Sequence, residues 1–138
     1  MIQRLSHTSV FVLDQARAKA FYTEKLGFDI RTDEKMGDFW WLTVSPKGQP
    51  DFEIALMPVT KSPMWDEETA NIVRGLVEKG ALGAGVLETD DCRATYEALV
   101  AKGVKFKQPP EERPYGTEAI LVDDSGNWFS LSSKPKKG

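Results

Sequence analysis

Four side chains carry reactive chemistry at places where a fold can use it: His7, Glu53, Cys92 and Ser130. His7 is the only histidine. Imidazole titrates near neutral pH, which suits a general base or a metal ligand; the plainer role is a strand-end histidine held by a hydrogen bond. Glu53 stands in DFEIALM, residues 51–57. In a strand, Phe52, Ile54 and Leu56 fall on one face, and Asp51, Glu53, Ala55 and Met57 on the other. A carboxylate facing a cavity from mid-strand needs a partner or a raised pKa. It then acts as a substrate contact or as a base paired with His7; on an open sheet face it is only a solvated acid. Cys92 sits at a helix start, which lowers a thiol pKa, but Asp90 and Asp91 beside it push the other way, and the thiol reads as inert.

Aromatic residues surround these positions. Phe39, Trp40 and Trp41 follow one another on one strand, so alternate rings face opposite sides and at least one points away from the core. In NWFSLSS, residues 127–133, Trp128, Ser130 and Ser132 share a face opposite Phe129 and Leu131. A tryptophan there stacks on a flat ligand or fills ordinary core. Arg113, Tyr115 and Glu118 lie in ERPYGTEAI, residues 112–120, where Tyr115 offers a hydrogen bond. Phe39, Trp41, Met57, Tyr115, Trp128 and Ser130 are therefore the candidate ligand contacts, and His7 and Glu53 the candidate catalytic pair. No glycine-rich phosphate loop, serine nucleophile elbow or cysteine-based zinc pattern occurs, and DSGN, residues 124–127, reads as a turn.

The elements that position these residues follow from periodicity. HTSVFVL, residues 7–13, reads as a strand, Asp14 as an N-cap, and ARAKAFYTEKLG as a helix closed by Gly27. FDIRT is a short strand; FWWLTVS (39–45) and FEIALMP (52–58) are strands joined by the turn-rich PKGQPD. Residues 66–80 open with acids and carry Ile72, Val73, Leu76 and Val77 at helical spacing. MWDEET, 64–69, is a helix start that can also serve as a lid, its approach stiffened by Pro58 and Pro63. The order then repeats: GAGVLETD as a strand, DCRATYEALVAKG as a helix, VKF as a short strand, TEAILVD and NWFSLSS as strands around the turn. Asp14 to Gly27 spans the same interval as Asp90 to Gly103. An internal duplication of β-α-β-β-β units is the strongest architectural signal in the chain. Module one covers 1–60, a connecting helical segment 61–80, module two 81–133, and a basic tail 134–138, all within one α+β domain. One helix over a curved sheet leaves the other sheet face open, and two modules side by side form a cup.

The 138 residues suit one domain, with 41% hydrophobic and 28% charged residues. The net charge of -3 gives no basic face for nucleic acid. One cysteine excludes an internal disulfide. No signal peptide and no apolar run near the roughly 18 residues of a spanning helix is present, which gives a cytoplasmic protein without a membrane partner as the expectation.

LSHTSVFVLDQARAKAFYTEKLGF, its second copy GAGVLETDDCRATYEALVAKGV, and the closing PYGTEAILVDDSGNWFSL resemble, in order and over almost the whole chain, the vicinal oxygen chelate superfamily of glyoxalases, bleomycin resistance proteins and extradiol dioxygenases. The resemblance implies a cup-shaped mixed sheet with helices outside, and a homodimer. It also implies metal ligands at four positions, two per module. Here these are His7 and Glu53 in module one, and Gly83 or Ala84 with Ser130 in module two. A glutamate belongs at Ser130 and a histidine near Ala84, so the set is half erased. Catalytic divalent metals usually take about three protein ligands. Alternation back from the hairpin puts Glu118 off the Ser130 face, so it does not replace the missing acid.

Three functions follow. The first is binding of a small organic molecule in an aromatic-lined cup, with no cofactor. The second is acid–base chemistry by His7 and Glu53, as in a lyase or isomerase. The third is a metal-dependent glyoxalase or dioxygenase in which His7 and Glu53 hold a divalent ion with unusual companions.

Overall fold

The computed structural model describes residues 1–135; the end of the basic tail, 136–138, lies outside the described residues. Strands β1 (His7–Val12), β2 (Asp29–Met36), β3 (Phe39–Ser45) and β4 (Glu53–Pro58) form one four-stranded sheet in the order β1-β4-β3-β2. Strands β5 (Gly83–Glu88), β6 (Lys105–Arg113), β7 (Gly116–Val122) and β8 (Trp128–Ser133) form a second in the order β5-β8-β7-β6. In both, the first and last strands run parallel and the other pairs antiparallel. The repeated topology makes this an α+β fold of two βαβββ units. Helix α2 (Glu67–Glu78) links them.

Helix α1 (Gln15–Ala20) starts at Asp14, whose carboxylate accepts from the Arg17 amide, and α3 (Cys92–Ala101) starts at Asp91, which accepts from Ala94. The structural repeat thus matches Asp14 with Asp91, one residue beyond the match read from spacing. The first helix continues as a π-helical turn, Phe21–Lys25, which turns Phe21 and Tyr22 into the core. Val10, Val12, Leu42, Val44 and Leu56 of the first unit join Leu99, Leu121, Phe129 and Leu131 of the second in one buried cluster. Tyr22 meets Phe129 edge-on at 6.3 Å across the seam. Each sheet therefore gives one face to a shared core and keeps the other open, as alternation requires.

The β7–β8 loop clips the units together. Asp123 is buried, and its Oδ1 accepts from the amides of Ser125, Gly126 and Asn127, each at 2.9 Å. Its Oδ2 accepts from the Tyr22 phenol at 2.7 Å and the Asn127 amide at 3.1 Å. Asn127 also donates to the Phe11 carbonyl, Ser125 accepts from the Leu13 amide, and Arg17 pairs with Asp124 at 3.2 Å. Burial, and next the Asp123 charge, hold the Tyr22 phenol well above its usual pKa, so it stays a donor.

Strand β6 is longer than VKF. It runs through Pro109 and Pro110 to Arg113, with register shifts around Gln108. Proline has no amide hydrogen for a ladder, and an edge strand tolerates it; β6 is an edge. Among the described residues, no helix is long and apolar enough to cross a membrane.

Candidate functional site

On the first sheet, the open face carries the predicted catalytic pair. His7 and Glu53 are direct cross-strand partners, and His7 Nε2 lies 3.0 Å from Glu53 Oε2. Thr43, on the neighbouring strand, donates to Glu53 Oε1 at 2.6 Å. The acid, at the first position of β4 rather than in mid-strand, thus has the partners a carboxylate on this face needs. His7 Nδ1 lies 2.8 Å from the Ser6 hydroxyl. Glu53 is held below the usual carboxylate range, first by the Thr43 hydrogen bond, with the His7 and Arg31 charges adding and burial opposing. A lowered carboxyl is a weaker base, and its ionised form is the one the fold favours.

A carboxyl lowered in the folded state stabilises above its unfolded pKa of about 4.3 and loses that contribution as pH falls through the folded value. Glu53→Gln is expected to be less stable than the wild type at neutral pH and to match it in acid. Urea melts at both pH values check this; a gap that persists in acid refutes it.

Beside the pair stands the aromatic row. The Trp41 ring lies 6.0 Å from His7, and Phe39 stacks on Trp41 at 6.3 Å and 19°. Trp40 turns to the opposite face, where it packs against the core and carries Lys35 at 4.5 Å over its ring. At the far end of the row, a cleft of about 600 Å³ opens between the sheet and the connecting segment. Phe11, Phe39 and Met57 wall it on the sheet side, and Pro63, Met64 and Trp65 on the other. Trp65 packs on Phe11 with ring centroids 4.9 Å apart, and Met64 is almost fully exposed. The segment read as a helix start does begin α2, at the N-cap Asp66. Its first residues also wall the cleft. Phe11 and Trp65 were not among the sequence candidates; their signal was an aromatic on the Ser9 face of β1 and one beside Pro63. A larger cleft of about 690 Å³ at the seam, near Phe28 and Gln49, touches none of the candidate residues.

The second sheet holds Trp128, Ser130 and Tyr115. Val86 stands opposite Ser130, because the β5–β8 pairing shifts between Gly83 and Gly85, where Gly85 has φ 145°. Ala84 packs toward the core, and Gly83 pairs with Trp128. A Cβ on Gly83 would lie 2.6 Å from the Trp128 ring, so the indole occupies the space a side chain at position 83 would need. Register corrects one expectation here: Glu118 lies on the Ser130 face. Ser130 pairs with Ile120 and Glu118 with Ser132, and cross-strand partners share a face. The Ser130 hydroxyl donates to Glu118 Oε2 at 2.7 Å, and Tyr115 donates to Oε1 at 3.3 Å.

Cys92 is buried and donates to the Leu131 carbonyl, and burial raises its pKa. This is an unreactive thiol. Among the described residues, no hydrogen bond, ion pair or ring contact joins the His7 group to the Ser130 group, and no three His, Cys, Asp or Glu side chains gather to hold a metal ion. His7 and Glu53 offer two donors, short of the about three a catalytic metal takes.

The sequence model of the Glyoxalase/Bleomycin resistance protein/Dioxygenase superfamily matches residues 4–131. The uncharacterized protein YetH of Bacillus subtilis is 34% identical over 132 residues, covering 95% of this chain and 98% of its own. The crystal structure of UcmS2 is 54% identical, with a TM-score of 0.91 over 97% of this chain and 100% of its own. TnmS3, described as an antibiotic binding protein from Streptomyces sp. CB03234, is 32% identical, with a TM-score of 0.75 over 96% of this chain and 97% of its own.

Proposed function

Because the chain belongs to the glyoxalase/bleomycin resistance protein/dioxygenase superfamily, we propose that it binds and holds a small, planar, largely apolar organic molecule without a catalytic metal. The cleft between the first sheet and residues 63–65 carries this reading. Its size falls within the roughly 300–1,000 Å³ usual for small-molecule sites. Its walls are aromatic rings and methionines, which suit flat apolar ligands and adapt to their outline. The antibiotic-binding description of TnmS3, similar over 96% of this chain, supports the same class of ligand. The open sheet faces favour a homodimer in which a second copy covers them.

The His7–Glu53 contact favours a second reading, acid–base catalysis, since proton transfer needs no third ligand. The two separate cleanly. Sequestration leaves bound ligand chemically unchanged, whereas catalysis turns it over and stops in His7→Ala.

Metal dependence is tested on protein purified without a histidine tag. Metal content and thermal shift under divalent-metal titration are measured, since a ligand that binds only the native state raises its Tm. No bound metal and no shift are expected. One tightly held ion per chain, lost in His7→Ala and Glu53→Ala, overturns the metal-free reading.

A further inference from the structure

We propose that the cleft at the seam between the two units is a second binding site, and that it takes an aliphatic amine: a flexible hydrocarbon chain with a protonated head. The seam cleft shares no wall residue with the first-sheet cleft, so it stands independently of the function proposed above.

The floor of the cleft calls for a hydrocarbon chain. At about 690 Å³ its size falls within the roughly 300–1,000 Å³ of small-molecule sites. It reaches down to the shared core, since Leu99, Leu121 and Leu131 are core residues that also line it. Leu26 and Phe28 wall it from the first unit and Leu87 from the second. Protein interiors are close-packed, with few voids larger than a water molecule. An open space of this size against core leucines is an exception, and an alkyl chain in it gains the dispersion contacts that the void forfeits. Phe28 is the single aromatic ring on these walls, and the other apolar residues are aliphatic. The seam therefore favours a flexible chain, where the aromatic row of the first sheet favours a flat ring.

The rim sets the head group. β5 is an edge strand, and its consecutive residues Val86, Leu87 and Glu88 all line the cleft, so the mouth runs along that edge. Glu88 is the one charged side chain on the walls. It is exposed and has no ion-pair partner among the described residues. Thr89 and Thr95 share a hydrogen bond of 2.7 Å, which uses one hydroxyl proton and leaves acceptor sites on both oxygens. Gln49 adds an amide oxygen at the loop between β3 and β4. An ammonium head brings three donors and a positive charge to these acceptors. A carboxylate head meets Glu88 as a like charge, and among the described residues no Lys, Arg or His lines the cleft to receive it.

The test titrates the full chain with hexylamine, octylamine and decylamine by calorimetry at neutral pH, where the amines are protonated. Octanol and octanoate are the controls. Affinity should rise about 4-fold with each added methylene, at one site per chain. Octylamine should bind roughly 2- to 5-fold tighter than octanol, as an exposed ion pair gives, and octanoate should bind least. Glu88→Gln should bring octylamine and octanol to equal affinity. Gly48→Trp should abolish binding, because Gly48 lines the cleft and a Cβ there meets no atom within 4 Å, so the ring plugs the mouth without displacing its neighbours. Melting curves confirm that both variants fold. Saturating dihydroxynaphthalene, the flat probe, should not displace octylamine. Absence of decylamine binding, octanoate binding as tightly as octylamine, an amine preference that persists in Glu88→Gln, or binding that survives in Gly48→Trp overturns the proposal and leaves the first-sheet cleft untouched. Displacement by dihydroxynaphthalene puts both probes in one site and overturns it too.

Discussion

Asp123→Ala should destabilise this protein strongly, more than loss of any one of the partners that carboxylate holds. The substitution strands three backbone amides, the Tyr22 phenol and the Asn127 amide, all of which converge on one buried carboxylate. Unmet buried donors cost about 1–3 kcal/mol each, and breaking a buried charged network typically costs about 3–5 kcal/mol in all. For a chain of this length that corresponds to a fall in Tm of roughly 10–15 °C. Tyr22→Phe removes only the phenol contact and should cost about 1–2 kcal/mol. The double variant should cost less than the sum of the two, because the phenol has already lost its acceptor. A melting temperature for Asp123→Ala within about 2 °C of the wild type would refute this account of how the units are joined.

The second large effect concerns binding. Phe39 lines the cleft and stacks on Trp41. Removing the ring should cost about 2–3 kcal/mol of ligand affinity, from lost apolar contact and stacking, or roughly 30- to 150-fold. Phe39→Ala should therefore weaken a planar aromatic probe such as dihydroxynaphthalene by that factor, and Phe39→Tyr should recover most of the loss. Since Phe39 is 43% exposed, the melting temperature should move little. Unchanged affinity in Phe39→Ala would place the ligand elsewhere, with the seam cleft near Phe28 the next site to examine.

Much of the fold is written locally. The alternation in residues 7–12, 39–45 and 53–58 states both strand and face, and it carried Glu53 and Trp41 to the open side as expected. Where local rules compete, the reading fails for identifiable reasons. Pro109 and Pro110 argue against a strand, but β6 is an edge and needs no amide there. Glu118 was misplaced by a single residue of loop. A turn limited to DSGN puts it opposite the Ser130 face. The actual loop holds five residues, because the pairing ends at Val122 with Trp128 and Asp123 folds inward to accept its own loop's amides. That extra residue reverses parity along the whole of β7. The shift at Gly83–Gly85 is of the same kind: a flexible glycine lets β5 slide against β8, and spacing along the chain cannot report it. The connecting segment's share in the cleft is a long-range packing outcome with no periodic signature.

The Trp128 ring over Gly83 makes the two positions exclusive. A side chain at position 83 would put its Cβ 2.6 Å from the indole, so it fits only where the ring at 128 moves or shrinks. Variation at one of these neighbours on β5 and β8 is therefore tied to variation at the other, and each behaves as half of a single packing unit.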